Sequence, residues 1–178
     1  MIRTRVGYTG GTLKDPTYHR LGDHTESIQI DFDPAKIAYA RLLEEFWASN
    51  PCGAAGSSRQ YRSAIFYHSP EQRKAASESL QRQITARGKV HTDVEALKVF
   101  YAAEDYHQKY ALRGTGELMR EFDAMYPNPV EFRNSTAAAR VNGYLDGHGH
   151  RKQLDAELPK LGLSADAGRW LRERVASD

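Results

Sequence analysis

Apolar and polar residues alternate twice near the start of the chain. Residues 2 to 8, Ile-Arg-Thr-Arg-Val-Gly-Tyr, alternate well enough for a strand. Ile28, Ile30 and Phe32 then alternate with Ser27, Gln29 and Asp31, and a period of two over this length predicts a second strand with one buried face. Asp33-Pro34 ends it, because proline lacks the donor that a ladder needs. Leu42, Leu43, Phe46 and Trp47 recur on one helical face, which predicts a helix over 39–48 with Trp47 in the core. From Gln60 to His68 the pattern returns to a period of two. Tyr61, Ser63, Ile65 and Tyr67 fall on one side, and Arg62, Ala64 and Phe66 on the other. A helix from Pro70 to about Arg87 follows, with Ser69 as its N-cap, Pro70 at N1 and Gly88 as its stop. A short strand is expected over Thr92 to Phe100, with Val94, Leu97 and Val99 as its packing residues.

The intervening segments read as loops. Gly10-Gly11 and Asp15-Pro16 supply turn conformations, and Tyr18 lies in that loop. Ser49 to Ser58 is a run of small residues with Gly, Pro and Cys52, and it has no period. Ala102 to Leu112 has helical spacing and carries Tyr106 and Tyr110. Beyond Gly114 the character changes. Helices are expected over Glu117 to Met125, Ser135 to Leu145 and Ser164 to Ala176, with Gly143, Gly147 and Gly149 closing the second. The last helix places Ala167, Trp170, Leu171 and Val175 on one face. His148 and His150 lack a third ligand at matched spacing, so they read as a glycine-rich turn and no metal site is expected. The fold class is α/β (α+β): a mixed sheet flanked by helices in residues 1–113, then a helical C-terminal extension, 114–178, packed on it.

Composition narrows the function without choosing it. The 178 residues include 25 basic and 23 acidic side chains, for a formal net charge of +2. That balance gives no electrostatic reason to expect nucleic acid. No apolar run approaches the ~20 residues of a membrane span, and the first residues lack the apolar core of a signal peptide. A single cysteine excludes an internal disulfide framework and suits a reducing compartment, so a cytoplasmic protein is expected.

Candidate chemistry centres on Glu26. A lone glutamate at the head of a strand is ordinarily solvated, and a loop tyrosine such as Tyr18 ordinarily packs by its ring. Their company matters more. A carboxylic acid with two phenols, Tyr18 and Tyr61, can protonate and hold a developing oxyanion. Cys52 has two readings: an inert small residue under its loop, or an accessible resolving or substitute thiol. Glu104, Asp105 and His107 read as structural.

Five segments occur in order: Gly7-Tyr8-Thr9-Gly10-Gly11, Pro16-Thr17-Tyr18, Gly22-Asp23-His24-Thr25-Glu26, Gln60-Tyr61-Arg62-Ser63-Ala64-Ile65, and Ala103-Glu104-Asp105-Tyr106-His107-Gln108-Lys109-Tyr110. Together they resemble the signatures of the peptide methionine sulfoxide reductase A family across roughly residues 2 to 113. The resemblance implies a ferredoxin-like core and thiol-dependent reduction of methionine S-sulfoxide, in peptide or free form. It implies no bound cofactor, and an external thiol reductant such as thioredoxin. It implies Glu26 as the acid, with a pKa raised by partial burial, and Tyr18 and Tyr61 as donors to the sulfoxide oxygen. Tyr8 and His24 would lie at the substrate. All three catalytic groups are expected in one pocket.

The resemblance also marks a difference. The family's nucleophile lies in a Gly-Cys-Phe-Trp motif upstream of Gly-Tyr-Thr-Gly-Gly, and the sequence begins at Met1 without it. Three readings stay open: a truncated reductase, a non-catalytic binding or scaffold relative, or catalysis by Cys52. The family also carries an Asn-Asp pair in its counterpart of the 49–58 loop, and this loop has no Asp.

Overall fold

The computed structural model describes residues 2–50 and 58–176. They fall into two compact units, Val6–Ala103, and Met1–Arg5 with Glu104–Asp178. The fold is mixed α+β.

In the first unit the alternating segments become strands. β1 spans Arg3–Thr9 and β2 spans Thr25–Asp31. Together with a two-residue strand β5, Tyr101–Ala102, they form a three-stranded sheet ordered β2-β1-β5. β1 and β5 run antiparallel, with Gly7 opposite Ala102 and Tyr8 opposite Tyr101. Gly7 is required there: a Cβ would sit 2.3 Å from the Tyr101 carbonyl oxygen and 2.4 Å from the Phe100 ring. Helix α1, Tyr39–Ser49, follows as its apolar spacing predicts.

A βαβ unit completes this part. β3, Ser63–Tyr67, and β4, Thr92–Ala96, pair in parallel with Ile65 opposite Val94. Parallel neighbours need a long crossover, which α2 over Pro70–Arg87 supplies. The Ser69 hydroxyl accepts from the Gln72 N–H at the start of α2, and Gly88 stops it at a φ of +82°. Leu43, Trp47, Ile65 and Ala76 form the buried cluster where α1, α2 and β3 meet. The Trp47 indole donates to the buried Ser79 hydroxyl, so this aromatic ring is core with its N–H satisfied.

The structure corrects three sequence expectations here. Tyr61 is not part of a strand, because Arg59–Tyr61 winds into one 3-10 turn and β3 starts only at Ser63. The strand expected up to Phe100 ends at Ala96. The apolar face of β2 is not packed away, and Ile28 is 60% exposed. β2 is an end strand of its sheet, and β3 belongs to the other sheet. A cavity of about 480 Å³ runs there, and residues 25–30 and 62–66 all line it. Consecutive residues point to opposite faces of a strand, so it is the strands' edges that border this space.

The second unit is helical. α3 spans Tyr110–Arg113, α4 Gly116–Met125, α5 Pro129–Asn134, α6 Thr136–Leu145, α7 Arg151–Glu157 and α8 Ala165–Arg174. Its core holds Leu112, Leu118, Phe122, Phe132, Val141 and Leu171, with Val175 buried at the end of the chain's last turn. α5 and α7 were not legible in the apolar spacing. Each is short and set by its cap, the Asn128 side-chain oxygen, which accepts from the Val130 N–H, and the His150 ring, which accepts from the Gln153 N–H. Gly143 lies inside α6 rather than closing it.

The helix expected over 102–112 is broken. Asp105–His107 is a single 3-10 turn, and Lys109 adopts a left-handed φ of 56° before α3. Lys109 is 4% exposed and anchors this turn. Its ammonium donates to the Thr4 carbonyl at 2.6 Å, the Thr4 hydroxyl at 3.0 Å and the Arg133 carbonyl at 3.1 Å. Desolvation, then the charges of Arg5 and Arg133, lower its pKa to about 8.

Two outcomes follow from this packing. Ile65→Ala should cost about 2–4 kcal/mol in chemical denaturation, whereas Ile28→Ala should stay within about 0.5 kcal/mol. Equal costs would show β2 to be packed after all. For Lys109 the folded pKa lies below the unfolded value, so folding sheds a proton between pH 8 and 10.5. The associated stability is lost as pH falls through 8 and fully present above 10.5. Lys109→Met should therefore abolish a rise of about 2–3 kcal/mol in stability across that window. Parallel pH curves for parent and variant would refute the assignment.

Candidate active site

The site is built on the loop between β1 and β2 and on the 3-10 turn before β3. Backbone polar groups in a loop need partners, and here side chains supply them. Asp23 accepts from the Thr12 N–H at 2.8 and 2.9 Å, from the Thr12 hydroxyl at 3.0 Å and from the Leu13 N–H at 3.3 Å. The Thr12 backbone bond, first among these, holds the Asp23 carboxyl down at about 2. His24 stands beside it. The Gly11 N–H donates to Nδ1 at 3.3 Å, which leaves Nε2 to donate to the Leu13 carbonyl at 2.8 Å. Gly11 has no room for a side chain, since a Cβ would lie 2.6 Å from Asp23 Oδ1 and 2.7 Å from the His24 ring.

Two arginines tie the loop to the 3-10 turn. Arg59 Nε donates to the Asp23 carbonyl at 2.8 Å, and its terminal nitrogen to the Gly10 carbonyl at 3.2 Å. The Thr25 hydroxyl donates to the Arg59 carbonyl at 3.2 Å and accepts from Arg62 Nε at 2.8 Å. Arg62 also forks onto β4, reaching Asp93 at 2.6 Å and Glu95 at 3.0 Å. The Glu95 bond is the main reason that the guanidinium's pKa is raised further.

On this frame the three predicted groups come together. Glu26 follows Thr25 at the head of β2 and is half-buried. The Gln60 amide donates to its Oε1 at 2.8 Å. The Tyr61 phenol interacts electrostatically with both Tyr18 and Glu26, and it shares a hydrogen bond with Tyr18. Its pKa is raised by partial desolvation, then by Tyr18 and Glu26, so it is a proton-bearing donor at neutral pH. Both hydroxyl-bearing rings reach solvent, Tyr61 at 55% exposure and Tyr18 at 38%.

The other predicted residues are placed differently. Tyr8 and His24, expected at the substrate, are each 1% exposed, and His24 spends both ring nitrogens on the loop. Cys52 lies outside the described residues. Among the described residues no group of three or more His, Cys, Asp or Glu is arranged to hold a metal ion, and no helix is long and apolar enough to cross a membrane. Gln60 was missed by sequence reasoning. Its one signal was its place beside Tyr61 in the Gln-Tyr-Arg-Ser segment. What the arrangement offers is an acid, two phenols and an amide around one partly exposed spot, suited to an oxygen that gains negative charge.

The sequence profile of the family described as peptide methionine sulfoxide reductase matches residues 1–128. The chain belongs to the peptide methionine sulfoxide reductase family. It is 38% identical over 167 residues to the peptide methionine sulfoxide reductase of Drosophila melanogaster, covering 92% of this chain and 67% of that protein. It is 38% identical over 151 residues to peptide methionine sulfoxide reductase A5 of Arabidopsis thaliana, covering 81% of this chain and 59% of that protein. The chain thus spans about 59–67% of the length of these relatives. An alignment of 167 residues runs past position 128, so part of the helical segment has a counterpart in the fly protein. In structure the chain resembles Mxr1 from Saccharomyces cerevisiae in reduced form, with a TM-score of 0.59 and 27% identity over 64% of this chain and 71% of that one.

The Asp23 contacts give a pH dependence for the frame. Its folded pKa lies below the ordinary value of 3.8, so the stability it contributes is present above that value and is lost as pH falls toward 2. Amide exchange of Thr12 and Leu13 should therefore accelerate below pH 4 in the parent. In Asp23→Asn it should be fast at every pH. Protected amides in that variant would show that the loop does not depend on the carboxylate.

Proposed function

We propose that this chain carries the oxygen-handling half of a methionine sulfoxide reductase site. The observation that carries this reading is the meeting of Glu26, Gln60, Tyr61 and Tyr18 at one exposed spot in a member of this family. A thiolate attacks the sulfoxide sulfur, and the S–O bond breaks as the sulfur is reduced to the thioether. Glu26 supplies a proton to the departing oxygen. Tyr61 and Tyr18 donate hydrogen bonds to the oxygen as charge builds. Attack forms an S–S bond as the oxygen leaves as water, and water then attacks the enzyme sulfur, breaking that bond to give a sulfenic acid and the free thioether. Two equivalents of external thiol, of the thioredoxin type, return that sulfur to a thiol and release water and a disulfide. No bound cofactor enters this scheme. A reducing compartment such as the cytoplasm suits it, and repair of oxidised methionine is the role it would serve. We assign the chemistry to residues 1–113, with 114–178 as an extension.

The nucleophile decides the rate. Cys52 is the only cysteine in the sequence. To act, its sulfur must approach within about 3.5 Å of the substrate sulfur and be kept as thiolate by a cation. Arg62 is committed to Asp93, Glu95 and Thr25, and Arg59 to two carbonyls, so neither is held ready for a thiolate. Removing a positioned nucleophile costs about 10⁶-fold in the best-studied hydrolases. With dithiothreitol and an S-sulfoxide substrate, turnover by this chain is expected to be very low and unchanged by Cys52→Ser. Tyr61→Phe is expected to weaken sulfoxide binding about 3- to 10-fold, the worth of one hydrogen bond. Turnover abolished by Cys52→Ser would place the nucleophile in the 49–58 loop. Binding without turnover would favour a non-catalytic, sulfoxide-binding relative. A chain that neither binds nor reduces sulfoxides would remove the proposal.

A further inference from the structure

Glu26 has two carboxyl oxygens, and the structure treats them unequally. Oε1 accepts from Gln60 Nε2 at 2.8 Å. Only the NH₂ end of an amide can face a carboxylate oxygen at this distance, because the carbonyl end would set two acceptors against each other. We propose that Gln60 is the positioning residue of this site, and that by donating to Oε1 it leaves Oε2 to carry the proton delivered to substrate. This rests on the reading of Glu26 as the proton donor.

The chemistry follows from the protonated acid. In a carboxylic acid the carbonyl oxygen is the good acceptor and the hydroxyl oxygen holds the proton. An amide donor fixed on Oε1 therefore makes Oε2 the hydroxyl. The same amide also interacts with the Tyr61 phenol, so one side chain spans the acid and a phenol and sets their spacing. Gln60 in turn has little freedom. Its neighbour Arg59 is bound through Nε to the Asp23 carbonyl and through its own carbonyl to the Thr25 hydroxyl. On the other side Arg62 holds that same hydroxyl. The 3-10 turn cannot drift from the head of β2 without breaking these bonds.

The charged and titratable groups around Glu26 are accounted for by element. Tyr18 comes from the loop and Tyr61 from the 3-10 turn. Arg59 and Arg62 are engaged as described, with Asp93 and Glu95 of β4 behind Arg62, and Asp23 is bound by Thr12 and Leu13. Gln60 is the neutral group among them that donates directly to the Glu26 carboxylate. A donor to a carboxylate favours its charged form, so losing the amide should raise the acid's affinity for its proton.

The test uses the full chain labelled with ¹³C at glutamate side chains and ¹⁵N at glutamine amides. The Gln60 amide protons are expected to shift with pH at the midpoint of the Glu26 carboxyl, and this step should vanish in Glu26→Gln. Gln60→Met, of similar length without a donor, should raise the proton affinity of Glu26 about 3- to 10-fold. A Gln60 amide blind to Glu26 ionisation overturns the proposal in the parent protein, even where the variant fails to fold. An unmoved midpoint in a folded Gln60→Met variant overturns it too. Addition of N-acetyl-methionine S-sulfoxide separates it from the functional reading. Sulfoxide binding without the coupling overturns Gln60 positioning alone. Coupling with no sulfoxide binding overturns the function, and with it any catalytic purpose for Gln60.

Discussion

The site depends on the way Asp23 and His24 take up the polar backbone of the loop that precedes them. A loop that bends away from a sheet leaves N–H and C=O groups with no ladder to join, and each would cost free energy if left unpaired out of water. Asp23 accepts from two backbone N–H groups, while His24 accepts from a third and donates to a carbonyl. Gly11 is what allows both side chains to come so close. Because the residues that follow them are Thr25 and Glu26, locking the loop also locks the acid at the head of β2. Arg59 then carries the same constraint to the 3-10 turn, and so to Gln60 and Tyr61.

This explains why the site was partly legible. Glu26, Tyr18 and Tyr61 stood in three separate motifs, and chemistry suggested a common purpose before any geometry was known. Tyr8 and His24 stood in the same motifs, yet sequence order does not say whether a motif residue faces substrate or supports the one that does. Both ring nitrogens of His24 are occupied by the loop. Gln60 carries no charge and few distinctive habits, so nothing but adjacency to Tyr61 marked it. Its role depends on a side-chain distance across two elements, which no pattern along the chain encodes.

The fold was legible where one local period ruled. α1 and α2 followed apolar spacing and a capping serine, and the helical face of Leu171 and Val175 was found buried. It was misread where tertiary context ruled. The alternation of Ile28 and Ile30 is sound strand chemistry, but whether the apolar face is covered depends on what packs against that face, which the alternation does not encode. The stretch 102–112 has helical spacing, yet the pull of Lys109 toward Thr4 and Arg133 sets a left-handed residue in the middle of it.

The same topology bears on the chemistry. Glu26 is tied on one side to Gln60 and borders, on the other, the cavity along the edges of β2 and β3. The groups proposed to handle oxygen all come from the laced side: the Glu26 carboxyl, the Tyr18 and Tyr61 phenols and the Gln60 amide. Stabilising a leaving oxygen demands groups held in place before charge develops, because reorganisation at that moment raises the barrier. Attack on sulfur makes a different demand, a single thiolate brought to short range along one line. Those two demands need not be met by the same part of a chain. Here the frame that meets the first is complete among the described residues, and none of its hydrogen bonds involves a sulfur atom. On the proposed reading the groups that would handle oxygen are held by this frame independently of the thiol, so binding of a sulfoxide and its reduction are separate tests of that reading.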